Sequence, residues 1–162
     1  MEYWDAYDAQ GNPTGGILVR GEEIPEGVYH LVASVLVQHT DGTYLLMKRH
    51  PDKPNHPGVY EASAGGSVLS GETAMEAARR ELQEETGIRA GELKPLYEES
   101  APGRIYHCFL CLTDCSKDSV TLQEGETVGY RWVDLETLKQ MRKETPSSVI
   151  LHQGLLSYLK ID

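Results

Sequence analysis

The stretch that decides the fold runs from Gly65 to Ile88 and reads GGSVLSGETAMEAARRELQEETGI. From Gly66, five residues lead to Glu72 and seven more lead to Arg80. Glu81, Leu82, Gln83, Glu84, Glu85, Thr86, Gly87 and Ile88 then follow without a gap. So many specified positions coincide by chance in roughly one chain per million or fewer. A charged helix with a merely solvated acidic face would not need a glycine at each end.

Ala74, Met75, Ala77, Ala78, Leu82 and Gln83 are helix formers and predict a helix between Thr73 and Thr86. Gly71 and Glu72 open it, Thr73 or Ser70 caps it, and Gly87 ends it. Ala74, Ala78 and Leu82 recur at four-residue spacing, so one face packs inward. Glu81 and Glu85 are four apart and Glu84 is three from Glu81, so these carboxylates share another face. Like charges so close repel unless something compensates them. A divalent cation does so, and hard oxygen ligands suit Mg2+ or Mn2+, which also bind substrate phosphates.

The pattern G-x5-E-x7-R-E-U-x-E-E-x-G-U, with U aliphatic, resembles the Nudix box of enzymes that hydrolyse diphosphates joined to another group. The resemblance implies metal ligation by Glu81 and Glu85, with Glu84 a ligand or a supporting group. It also implies that the carbonyl of Gly65 joins the metal. Arg80 would orient the glutamates through an ion pair with Glu72, and Gly66 and Gly87 belong to the motif's scaffold. A further glutamate from a later loop commonly acts as base or extra ligand. Glu126 is favoured over Glu124 for that part by its spacing to Trp132.

The chain has 162 residues, which predicts one domain spanning residues 1–162, large enough to bury a substantial core. A net charge of −10 argues against a nucleic-acid polymer or an anionic membrane as partner. It does not argue against a phosphorylated small molecule, because metal ions bridge two sets of negative charge. No apolar run is long enough to cross a bilayer, and the N-terminus lacks the features of a secretion signal. The expected location is therefore cytoplasmic. Cys108, Cys111 and Cys115 read as buried free thiols on one strand, since residues three apart on a strand face opposite sides and do not gather round a metal. The sequence leaves a homodimer open.

Along the chain, the first twenty residues predict a hairpin with a Gly/Asn/Pro turn. Tyr29–Gln38 reads as a core strand, and Asp41-Gly42 turns it into Tyr44–Lys48. A loop with Pro51, Pro54 and Pro57 precedes a short strand near Val59–Ser63. Leu93–Glu99, Arg104–Leu112 and Val128–Val133 are further strands. Asp134 caps a helix through about Arg142, and Thr145-Pro146 starts another with Val149, Leu151, Leu155, Leu156 and Leu159 as its apolar face. The fold class is α+β, and the resemblance implies a Nudix-type α/β/α sandwich with a mixed sheet.

Outside the box, WDAYDAQG, Arg20, YHLVASV, the pair Lys48-Arg49 and the Pro-Gly before the box are similar to the isopentenyl-diphosphate isomerase-like branch of the family. That isomerase uses a cysteine and a histidine just before the box, where this chain has Ala64-Gly65-Gly66. His30 matches a metal-binding histidine of the isomerase, but alone it cannot assemble that site and reads as a histidine at a strand start. The implied activity is hydrolysis of a phosphoanhydride by water, with Glu126 or Glu84 accepting the proton and Lys48 or Arg49 contacting phosphate. Tyr60 or Tyr106 could stack on a ring of the substrate. An isomerase of this type and a nucleotide-binding module without catalysis are the rival readings.

Overall fold

The computed structural model describes residues 1–162. Strands β1 (Tyr3–Tyr7) and β2 (Pro13–Val19) form the expected hairpin, a separate two-stranded sheet. The remaining strands are β3 (His30–His39), β4 (Tyr44–Arg49), β5 (Tyr60–Glu61), β6 (Ala64–Ser67), β7 (Leu93–Ala101), β8 (Arg104–Thr113), β9 (Thr127–Val133) and β10 (Val149–Ile150). They make one sheet in the order β10-β5-β4-β3-β8-β7, with β6 also on β3 and β9 also on β4. The pairs β3–β8 and β10–β5 are parallel and the others antiparallel, so the sheet is mixed.

Helices cover both faces because the central strands are apolar on both. Leu31, Ala33, Val35 and Val37 of β3, with Leu45 and Met47 of β4, pack with Ala77, Ala78 and Leu82 of helix α1 (Ala74–Thr86). Leu36 of β3, with Tyr44 and Leu46 of β4, packs instead with Leu138 of α2 (Leu135–Glu144) and Leu155 and Leu159 of α3 (Gln153–Leu159). Alternate residues on a strand face opposite sides, which is how one run of Val and Leu serves two cores. The result is a three-layer α/β/α arrangement.

Helix α1 carries the acidic face, and its ends are locally encoded. Thr73 is the N-cap: its hydroxyl accepts from Glu76 N–H, and the Glu76 carboxylate accepts from Thr73 N–H. Glu72 therefore lies one residue outside the helix, and Ser70 donates to Asp5 rather than capping. Gly87 closes the helix at φ 75°, a left-handed conformation that disfavours a side chain. The inward face is Ala77, Ala78, Leu82 and Thr86, with Ala74 only half-buried at its start.

The C-terminal segment departs from expectation. Thr145-Pro146 starts only a single 3-10 turn, Pro146–Ser148. Val149 and Ile150 then run extended as β10 and pair with Tyr60 and Glu61, and α3 begins at Gln153. Both residues are β-branched and suit a strand. Val149, Leu155 and Leu159 do share one core cluster, but from two elements rather than one helical face. Cys108 and Cys111 are buried free thiols on β8, and Cys115 is a free thiol beyond its end.

Leu82 is wholly buried between the sheet and the acidic face. Leu82→Ala is expected to cost about 2 to 5 kcal/mol in urea denaturation. Met75→Ala, at an exposed position of the same helix, should change stability by less than about 0.5 kcal/mol.

Candidate functional site

A cleft of about 530 Å3 opens beside the N-terminal part of β6 and the acidic face of α1. Its floor comes from the glycines. Gly65 and Gly66 pair with Ser34 and Ala33 of β3, and a Cβ on Gly66 would collide with the Glu81 carboxylate. Glycine here is thus a requirement of close approach between strand and carboxylate.

Arg80 organises this wall. Its Nε and one terminal nitrogen donate to the two oxygens of Glu72, at 2.7 and 2.9 Å, a bidentate pair. The other terminal nitrogen donates to Glu81 Oε1 at 2.8 Å and reaches Glu84 at 3.5 Å. The terminal nitrogen bonded to Glu72 also donates to the Ser67 carbonyl at 3.2 Å, so one guanidinium joins β6, the loop before α1 and the helix itself. Its charge is held by these carboxylates, Glu72 foremost, and its pKa is raised.

The carboxylates exceed what Arg80 can neutralise. Glu85 accepts from Gly65 N–H at 3.4 Å and is pushed well above the usual carboxylate range, by burial first and then by Glu61 and Glu81. Burial also raises Glu81, against the opposing pull of Arg80. Glu61, on β5, is raised by burial despite an ion pair with Arg49 at 3.2 Å. In this arrangement the carboxylates do not converge into a finished coordination shell, since Arg80 holds Glu81.

The structure brings Gly65, Gly66, Arg80, Glu81, Glu84, Glu85, Arg49 and Glu126 to the one cleft. Lys48 is not among its lining residues; its ammonium lies 5.9 Å from the Tyr60 ring centre. The pleat explains the split, because successive residues of β4 face opposite sides and only one of Lys48 and Arg49 can face the cleft. Gly65 meets Glu85 through its N–H. Glu72 holds Arg80 from outside the helix, and Gly87 lies at the far end of α1 as scaffold. Glu126 ion-pairs with Lys53, whereas Glu124 is exposed and outside the cleft.

Several residues in or behind the cleft escaped the sequence reading. Glu61 faces the acidic cluster from a two-residue strand, and Lys53 reaches in from the proline-rich loop. Neither position has a local pattern to reveal it. Trp4 of the hairpin stacks flat on His30, with ring centres 4.0 Å apart and planes 10° apart. Tyr106, expected as a stacking residue, lines the cleft; Tyr60 does not. Burial, helped by the positive Arg104, pushes the His30 imidazole down to about 4.

Residues 28–153 match the NUDIX domain family. An uncharacterized Nudix hydrolase of Listeria monocytogenes is 35% identical over 145 residues, 88% of this chain and 85% of that protein. An isopentenyl-diphosphate Delta-isomerase of Klebsiella pneumoniae is 27% identical over 146 residues, 86% of this chain and 79% of that protein. Among solved structures, one from Deinococcus radiodurans superposes with a TM-score of 0.79 at 20% identity, covering 98% of both chains. That last likeness is one of fold alone.

His30 yields a stability prediction with a definite sign. Its folded pKa of about 4 lies below the ordinary 6.5, so the unfolded chain binds the extra proton between these values. Its contribution is complete above pH 6.5 and is lost as pH falls toward 4, on the order of 3 kcal/mol. Denaturation of wild type and His30→Gln across that range should show the gap between them narrowing as pH falls.

Proposed function

The chain belongs to the Nudix family and is a Nudix hydrolase, and from that premise we propose that it hydrolyses a phosphoanhydride in a nucleoside diphosphate-linked or related organic diphosphate. Mg2+ or Mn2+ is the proposed cofactor. The observation that carries this reading is the excess of carboxylates at the glycine floor. Glu61, Glu81 and Glu85 are brought together, and burial first, then their mutual repulsion, raises all three against the pull of Arg49 and Arg80.

The donor set fits a divalent cation. Glu81, Glu84, Glu85 and the Gly65 carbonyl are all hard oxygen ligands, and Gly66 leaves the space in which Glu81 sits. A cation held there would neutralise phosphate charge and lower the pKa of the attacking water. Arg80 keeps Glu81 pointed at the glycine floor by its 2.8 Å bond. Arg49 presents a guanidinium to the cleft and is the phosphate-contacting residue of the proposed pair. Lys53, paired with Glu126, supplies a second cation on the same side.

Water attacks phosphorus, the anhydride P–O bond breaks, and the leaving phosphate takes the bonding electrons. The proton of the water passes to Glu126 or Glu84, both of which line the cleft. Arg80 and Glu72 stay outside this proton transfer as positioning residues.

The isomerase reading lacks its chemistry. Ala64 and Gly66 stand where that enzyme has cysteine and histidine. The three cysteines lie on or just past β8, and none lines the cleft.

A panel of nucleoside diphosphates, triphosphates, dinucleotides and isopentenyl diphosphate, assayed with Mg2+ or Mn2+, tests this proposal. Phosphate release should appear on at least one anhydride, and chelation should abolish it. Glu85→Gln should lower kcat by more than about 100-fold on the best substrate. Full turnover by that variant would remove Glu85 from the metal site.

A further inference from the structure

The cleft continues past the carboxylates, along β3, into a region the hydrolysis does not use. The parallel register of β3 and β8 sets His30 beside Arg104 and Val32 beside Tyr106. Residues two apart share a face, and all four line the cleft. Gly65 pairs with Ser34, four residues further along β3 than His30. At the rise of a strand that is roughly 13 Å, a separation greater than a diphosphate spans. Trp4 closes the far side by its stack on His30, while its indole N–H donates to Glu2 at 2.8 Å.

Charge accounting singles out Arg104. Arg20 is paired with Glu2, Arg49 with Glu61, Lys53 with Glu126, and Arg80 with Glu72 and Glu81. Arg104 lines the same cleft and has no carboxylate within 4.0 Å. Its guanidinium reaches only the Tyr106 hydroxyl, at 3.4 Å. Beside it, His30 is 4% exposed and its Nδ1 has no hydrogen-bond partner. An unmet cation and an unmet buried polar atom stand together, and buried polar groups are otherwise nearly always satisfied. Here the one carboxylate lining the cleft, Glu2, already serves Trp4 and Arg20, and Glu99, opposite Tyr106 on β7, is held by the Gly154 N–H and His152. Two guanidiniums therefore face one carboxylate, a local positive charge in a chain of net charge −10.

We propose that Trp4, His30, Arg104 and Tyr106 form a second, anion-binding subsite for a phosphate ester carried by the substrate away from its diphosphate. The guanidinium fork and the tyrosine hydroxyl can meet three oxygens of one phosphate group. The subsite selects organic diphosphates that bear a further phosphate over those ending in a neutral group. Its place in catalysis rests on the hydrolase reading above, which sets the end of the substrate that enters here; its affinity for phosphate does not.

The test is calorimetry on the full chain in chelator, with ribose 5-phosphate as probe and ribose as control. Wild type should bind the phosphate ester and not the free sugar. Arg104→Ala should weaken binding at least tenfold, Tyr106→Phe should weaken it less, and Arg104→Lys should restore part of it. Arg104 is exposed at the start of β8, and thermal melts check that its variants are folded. Equal binding by wild type and Arg104→Ala, or equal binding of ribose and ribose 5-phosphate, overturns the subsite. On substrate pairs differing by one remote phosphate, the preference should collapse in Arg104→Ala with the loss carried in KM. If Glu85→Gln kept full turnover while Arg104→Ala still lost the probe, the metal reading would fail and the subsite would stand.

Discussion

The guanidinium of Arg80 is the tie on which the site depends. It spans the Ser67 carbonyl on β6, Glu72 in the loop, and Glu81 on the helix. Without a cation at that point, the carboxylates of α1 and the loop before it would repel each other in a partly desolvated place. With it, Glu72 and Glu81 are drawn together and the helix is held against the glycine floor. The remaining repulsion, felt most by Glu85, is what leaves the site suited to a further positive charge.

That tie works only because the layers beneath it are rigid. Ala77 and Ala78 let α1 lie close on β3, and Leu82 fills the gap between the acidic residues and the sheet. The second core, under α2 and α3, backs the same strands from the other side. A sheet packed on both faces has little freedom to shift, so the register of β3 against β6 and β8 becomes the ruler of the cleft. Along that ruler Gly65 and Gly66 stand at Ser34 and Ala33, Ser67 with Tyr106 at Val32, and Arg104 at His30.

The cleft is consequently graded in charge. Carboxylates gather where α1 meets β6, paired cations flank them, and the free guanidinium of Arg104 lies furthest along β3. No helix of the protein is long and apolar enough to cross a membrane. The net negative charge of the chain and the local positive charge of this end serve different ends. The first is unfavourable to a polyanion, and the second is favourable to a single small anion.

What the sequence by itself determined is what lies within a helical turn or a strand pleat. The extent of α1, its Gly87 stop and its shared face of Glu81, Glu84 and Glu85 follow from residues three or four apart, whereas the choice of Thr73 over Ser70 as its cap came from the structure. The two-faced burial of β3 follows from its run of Val and Leu. Contacts between distant segments were decided only by the tertiary structure. Glu61 facing Glu85, Lys53 meeting Glu126, and His30 beside Arg104 depend on strand register and loop course, and no local periodicity encodes them. The division between Lys48 and Arg49, and the strand that interrupts the C-terminal helix, were settled the same way. In each, pairing with a remote strand fixed which side of the backbone faced the cleft or the core.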